Sequence, residues 1–311
     1  MEVIDVNEQS FDVVVVGGGA AGLSAALVLG RARRRVAVVD AGSPRNAPAA
    51  HMQGFLSRDG LPPSELLAIG RDEVERYGVE LLAGHVDAIE PGFVVHLARG
   101  PTLKARRVLL ATGVGDQLPD IPGVRERWGR DLLHCPYCHG WEVRDQPLGI
   151  LGTHPLAIEH AQLVRQWSSD VVFFAHTAEV PPAERARLAA RRIELVEGEV
   201  ARLVVENDEL VGVELRDGRV VPRTAVFVRP ANTPHPDGLL AGLSCELDQD
   251  GFPVVDRTGR TSVPGVWAAG NSADPRAQVI TAAGAGSAAA IAINADLVQE
   301  DVRIALGGSH S

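Results

Sequence analysis

Gly17-x-Gly19-x-x-Gly22, set between an apolar β-branched run and a segment of small residues, constrains this chain more than any other feature. Phe11 to Val16 predicts a buried strand, Ala20 to Arg31 a helix, and Arg35 to Val39 a second strand ending at Asp40. The first glycine permits a tight turn, the second lets backbone approach a pyrophosphate, and the third lets helix and strand pack closely. Free N–H groups and the positive end of the helix dipole suit the phosphates. Asp40, 18 positions after Gly22, suits a ribose hydroxyl. The expected dinucleotide contacts are Gly17, Gly18, Gly19, Ala20, Ala21, Gly22 and Asp40. The cluster alone does not distinguish FAD from NAD.

The rest of the chain is long enough for a second such unit: 311 residues at about 150 per domain make two domains. Leu61 to Tyr77 reads as a helix, Val79 to Leu97 as strands of a small sheet, and Val108 to Ala111 as a buried strand closed by Thr112-Gly113. After a Pro/Gly-rich crossing, Gly115 to Gly123, a second βαβ pattern begins: strand Leu148 to Leu151, helix Pro155 to Trp167, strand Val171 to Ala175. Glu184 to Arg192 continues as a helix. Glu199 to Val205, Leu210 to Leu215 and Thr224 to Val228 resemble a β-meander. Near Leu243 to Asp256 the pattern returns to the first domain, with a strand and turn at Val263 to Gly270 and an alanine-rich helix from Val279 to Glu300. The expected division is 1–115, 116–245 and 246–311.

A net charge of −10 and a single lysine, Lys104, argue against nucleic acid or an anionic membrane as the main partner. No apolar run reaches the roughly 18 residues of a membrane span. Met1 to Ser10 lacks a basic region and an apolar core of a signal peptide, so the expectation is cytoplasmic.

The most informative stretch is His134-Cys135-Pro136-Tyr137-Cys138-His139-Gly140-Trp141-Glu142. In such a chain a Cys-x-x-Cys serves redox chemistry or a metal more often than structure. Zinc needs four ligands, and no second Cys-x-x-Cys or close histidine pair is present. Redox exchange is the leading reading; zinc and an inert pair are the alternatives, and no metal is expected. Cys245 stands alone among apolar neighbours and reads as a core residue.

Ala111-Thr112-Gly113 and Val266-Trp267-Ala268-Ala269-Gly270-Asn271 resemble two FAD-contacting motifs of the pyridine-nucleotide-disulfide oxidoreductases. Over almost the whole chain the resemblance is to the low-molecular-weight thioredoxin reductases. It implies an α/β fold of two Rossmann-like three-layer domains, the FAD domain split by an inserted domain that carries the Cys-x-x-Cys. It also implies a homodimer, and flavin contacts at Val86, Ala111, Gly113, Asn271, Gln278 and Val279. Asn271 departs from the acidic residue of the pattern but can still hydrogen-bond a ribityl chain. By the same resemblance Cys138 faces the flavin and Cys135 exchanges with the external thiol. His139 replaces an acidic residue, and an imidazole near pKa 6.5 takes a thiol proton at neutral pH better than a carboxylate near 4. His134 is open between function and structure.

The second nucleotide turn reads Gly149-Ile150-Leu151-Gly152-Thr153-His154-Pro155-Leu156-Ala157, with Thr153 and His154 where glycines are expected. The strand after it ends Phe174-Ala175-His176-Thr177-Ala178-Glu179, where thioredoxin reductases carry His-Arg-Arg for a 2′-phosphate. Only His176 matches; Pro182 takes the place of a later arginine. Losing two or three charge-assisted contacts, each worth about 1.5–3 kcal/mol, weakens NADPH by orders of magnitude. A variant NADH site with Glu179 on a ribose is the alternative. Cys-Pro-Tyr-Cys-His with a degraded nucleotide site resembles the dithiol oxidases of the gliotoxin and holomycin type, whose FAD contacts are matched by Arg45, Asn46 and His51. The resemblance implies FAD, a small natural-product dithiol as substrate, and O₂ as acceptor giving H₂O₂. An NAD(P)H-dependent thioredoxin or disulfide reductase and a non-catalytic flavin-binding sensor are the rival readings.

Overall fold

Val13, Val14 and Val15 have no exposed surface, so the strand Gln9–Val16 is covered on both faces and shows no polar alternation. It lies at the middle of a sheet in a computed structural model that describes residues 9–235 and 237–307; Met1 to Glu8 of the amino-terminal reading lie outside them. The strand order is Glu80–Ala83, Val36–Asp40, Gln9–Val16, Thr102–Leu110, Val94–Leu97, Val86–Glu90. The nine-residue strand Thr102–Leu110 has two partners on one side. Its start pairs antiparallel with Val94–Leu97, and its end pairs parallel with Val266–Ala268. Helices Ala20–Arg31 and Val279–Gly307 share one core with one face of the sheet, and Leu239 and Cys245 are buried on another core with Val266 and Ala268.

Two compact units result. The first comprises the described residues up to Arg45, Ser64–Gly115, and those from Thr233 on; the second is Asn46–Pro63 with Asp116–Asn232. The return to the first unit therefore comes earlier than residue 246, because Leu239 and Cys245 already pack in its core. The second unit has a five-stranded parallel sheet, ordered Glu194–Val196, Val171–Phe174, Leu148–Leu151, Ala225–Phe227, Leu132–Leu133. One core holds helices Ala157–Val164 and Pro182–Ala190 against it, and another holds the antiparallel strands Val200–Glu206 and Glu209–Leu215.

The third strand of this meander is Val220–Pro222, not Thr224 to Val228 as expected. Ala225, Val226 and Phe227 are wholly buried and join the parallel sheet instead, so their apolar run reports a covered strand. The helices read as Leu61 to Tyr77 and Pro155 to Trp167 shorten to Pro63–Glu75 and Ala157–Val164.

The last helix needs a larger correction. At 29 residues, Val279–Gly307 is long and apolar enough to cross a membrane by length and composition. In this unit it instead buries Ala282, Gly286, Ala289, Ala290, Ile293 and Leu297 in the core. A Cβ at Gly286 would lie 2.0 Å from the carbonyl oxygen of Ala21, so the two helices touch backbone to backbone.

Gly286→Ala should lower the unfolding free energy by about 1–3 kcal/mol in urea titration. Gly284→Ala, whose Cβ would meet nothing within 4 Å, should raise it by about 0.5–1 kcal/mol.

Candidate active site

The first glycine turn is closed by backbone. Gly17 sits at φ +108°, and a Cβ there would lie 2.2 Å from the Ala111 carbonyl oxygen; one at Gly22 would lie 1.8 Å from the Gly17 carbonyl oxygen. A Cβ added at Gly19 would meet nothing within 4 Å, and helix Ala20–Arg31 starts there without a side-chain cap. The approach to its first N–H groups is open, as a pyrophosphate requires. Asp40 Oδ1 accepts the Gly18 N–H at 3.2 Å, and Asp40 Oδ2 lies 3.5 Å from Arg71. The carboxylate is thus held at the turn, where a ribose would meet it.

The other end of this cradle is built from the loop before the last helix. The Asn271 side-chain amide donates to the carbonyls of Asp274 at 3.0 Å and Ala277 at 2.9 Å. A carboxylate cannot donate those bonds, which accounts for asparagine at a position where the pattern has an acid; its Oδ1 remains an acceptor. Arg45 Nη1 donates to Pro275 of the same loop at 3.4 Å. The Gln278 carbonyl accepts the Ala282 N–H, so Gln278 and Val279 open helix Val279–Gly307. Gly113, at φ +83°, follows Ala111 out of the sheet. Val86 is buried at the start of strand Val86–Glu90. These residues fit FAD. Asn46 and His51 belong to the second unit, where Asn46 accepts the Ala49 N–H and His51 Nδ1 lies 3.2 Å from the Gly60 carbonyl oxygen.

In the second unit Cys135 and Cys138 form a disulfide, with Cα atoms 5.2 Å apart. The short helix Pro136–His139 arranges them: the Cys135 carbonyl accepts the N–H groups of Cys138 and His139, both at 3.1 Å. Gly140 is needed next, since a Cβ there would lie 2.5 Å from the Pro136 carbonyl oxygen and 2.9 Å from Trp167. Tyr137 stands exposed, edge-on to Trp167, and Trp141 is exposed under the Arg144 guanidinium. His139 Nδ1 is buried without a hydrogen-bond partner. Burial pushes the His139 pKa below its ordinary value, and the nearby Glu142 charge opposes this. The imidazole is therefore neutral at neutral pH and able to take a proton.

The second nucleotide turn satisfies itself. His154 Nδ1 accepts the Leu156 N–H at 3.0 Å, using a donor at the start of helix Ala157–Val164. At Gly152 a Cβ would lie 2.6 Å from the Phe174 carbonyl oxygen, so this glycine serves strand packing. A cavity of about 490 Å³ remains, lined by Thr153, His154, Thr177, Glu179 and Glu184 among others, with no lysine or arginine in its lining. His176, the one match to a phosphate-binding run, accepts the Val200 N–H through Nδ1 at 3.0 Å and is held as part of the fold. The residues present do not fit a 2′-phosphate.

One residue escaped the sequence reading. His160 is 4% exposed and lies edge-on to both His134 and Phe227. Its signal was periodicity: Ala157, His160, Ala161 and Val164 make the buried stripe of their helix.

A family model described as pyridine nucleotide-disulphide oxidoreductase matches residues 11–287. Thioredoxin reductase sirT of Leptosphaeria maculans is 32% identical over 319 residues, covering 94% of this chain and 96% of the relative. Among solved structures, HlmI superposes with a TM-score of 0.94 at 59% identity over 96% of each chain. An oxidoreductase from Agrobacterium tumefaciens superposes at 0.87 with 36% identity, covering 93% of this chain and 99% of the other.

Burial pushes the His160 pKa down to about 4, against about 6.5 in an unfolded chain. The unfolded state therefore takes the proton first. Stability from this group is complete above pH 6.5 and should fall as pH drops toward 4, by at most about 1.4 kcal/mol per pH unit. Urea midpoints at pH 7 and pH 5 check this, and His160→Phe should remove that share of the slope.

Proposed function

The chain belongs to the pyridine nucleotide-disulphide oxidoreductase family, and from that premise we propose that it is an FAD-dependent dithiol oxidase acting on a small-molecule dithiol. The observation that carries this reading is the His154–Leu156 bond: at the turn that should grip a nicotinamide dinucleotide, the His154 imidazole takes up the Leu156 N–H. With no cation lining the cavity beside it, electrons enter through sulfur.

One substrate thiol approaches the disulfide and gives its proton to neutral His139. The thiolate attacks Cys135 Sγ, the Cys135–Cys138 bond breaks, and Cys138 leaves as a thiolate. The second substrate thiol attacks the substrate sulfur of the mixed disulfide, releasing a cyclic disulfide, and its proton passes to the departing Cys135 sulfur, which leaves as the thiol. Bound FAD would supply the two-electron acceptor that restores the cysteine disulfide and passes the pair to O₂. The sum is a dithiol plus O₂ giving a disulfide plus H₂O₂. The exposed Tyr137 and Trp141 flank the reacting sulfurs with apolar surface, which suits a small organic substrate. A homodimer in a reducing cytoplasm completes the reading.

The remaining cavity, lined by Glu179, favours one second reading: a reductase that takes NADH, with Glu179 on its ribose. Anaerobic flavin bleaching separates the two.

Dithiols such as dithiothreitol should drive oxygen uptake with matching H₂O₂, and NADPH should fail to bleach the flavin without oxygen. Rapid bleaching by NADPH, with no oxygen uptake on dithiols, would reverse the assignment. His139→Ala should slow dithiol oxidation at pH 7 by about 100-fold, the lower range for loss of a general base. Because burial lowers the His139 pKa, the acid limb of the wild-type rate profile should lie below pH 6.5 and should vanish in that variant.

A further inference from the structure

Helix Pro63–Glu75 carries four acids, Glu65, Asp72, Glu73 and Glu75, and one base, Arg71. Leu67 and Val74 of this helix are buried in the core that also takes Leu23 of helix Ala20–Arg31. Gly70 stands against the same leucine, since a Cβ there would lie 3.1 Å from it. Arg71 follows Leu67 by four residues and precedes Val74 by three, so it shares their side of the helix. Its guanidinium meets Asp40, with Nη2 3.5 Å from Oδ2.

Asp40 in turn lies across the first glycine turn. Its Oδ1 accepts the Gly18 N–H at 3.2 Å, and a Cβ at Gly18 would stand 2.7 Å from the Asp40 Cγ. That closeness sets a conflict for the ligand the turn suits. A pyrophosphate seated on these N–H groups brings two negative charges beside the carboxylate, in a chain whose net charge is −10. Like charges so placed oppose binding. The Asp40–Arg71 pair does little for the fold, because 40% of the Arg71 side chain and 29% of the Asp40 side chain are exposed. Its effect belongs to the complex, where the guanidinium offsets the carboxylate charge that the phosphates would otherwise face.

We propose that Arg71 tunes the affinity of the first glycine turn for the adenosine–pyrophosphate half of its dinucleotide, by setting a positive charge against Asp40 where that half would settle. This rests on the reading of the turn as the FAD site, and it gives a part to a residue that lies outside the glycine motif.

The test titrates FAD, and separately ADP, into the flavin-free full chain by calorimetry. ADP shares the adenosine and pyrophosphate of FAD and lacks the flavin. At low salt Arg71→Met should raise both dissociation constants by about fivefold, as for a half-exposed charge contact. Arg71→Glu should raise them by about 25-fold, twice that free energy. Arg71→Lys keeps the charge, and a single N···O contact does not need the guanidinium fork, so it should stay within about twofold of the wild type. At about 1 M salt, where charges are screened beyond about 3 Å, all three variants should come within about twofold of the wild type. A packing role would neither follow the sign of the charge nor fade with salt. A methionine variant that matches the wild type at low salt overturns the proposal, as does a lysine variant no better than methionine. So does a loss that persists in high salt, or one seen with FAD and not with ADP. No thiol or oxygen enters the assay. A wild type that binds ADP in this Arg71-dependent way but takes up no FAD sinks the FAD reading of the turn and supports the role of Arg71.

Discussion

Backbone packed directly on backbone is the constraint from which the first unit is built. At Gly17, Gly22 and Gly286 an added Cβ would fall 1.8–2.2 Å from a carbonyl oxygen, well inside any tolerable separation. These contacts bring the helix Ala20–Arg31 down onto the sheet and the last helix down onto Ala21. The turn at Gly19 is left open by the same packing. Recognition of an anionic cofactor there needs little from side chains beyond Asp40, because N–H groups and the helix dipole supply the attraction.

The second unit repeats the strand–turn–helix plan with a different local chemistry at the turn. Its strands are as deeply covered, and Gly152 is also packed against backbone, where a Cβ would lie 2.6 Å from the Phe174 carbonyl oxygen. The difference lies in two side chains. His154 supplies an acceptor to the helix start that a phosphate oxygen would otherwise supply, and His176 turns into a bond with Val200. Shared architecture thus says little about whether a dinucleotide is held; the decision is local and chemical.

How far the sequence went follows from the range of the forces involved. The glycine turns, the helix Ala20–Arg31 and the Cys-x-x-Cys were readable because steric demands and thiol chemistry act over a few residues. The altered turn was readable for the same reason, although the bond from His154 to Leu156 was not. Val220–Pro222 was missed because three half-exposed residues carry no period, and Ala225–Phe227 was misplaced because burial on both faces erases alternation. The return to the first unit at Thr233 depends on Leu239 and Cys245 meeting Val266 and Ala268, contacts distant in the chain. His160 was overlooked since a histidine in an apolar stripe looks like packing until its ring contacts with His134 and Phe227 are seen.

The His154 cap bears on how such a protein can change over generations. Removing the imidazole leaves a helix start short of an acceptor before any arginine stands ready near Thr177, Ala178 or Pro182 to welcome a phosphorylated ribose. A turn like this one could take up a phosphorylated dinucleotide only through several substitutions made together, since freeing the Leu156 N–H and bringing cations to the end of the neighbouring strand are separate changes.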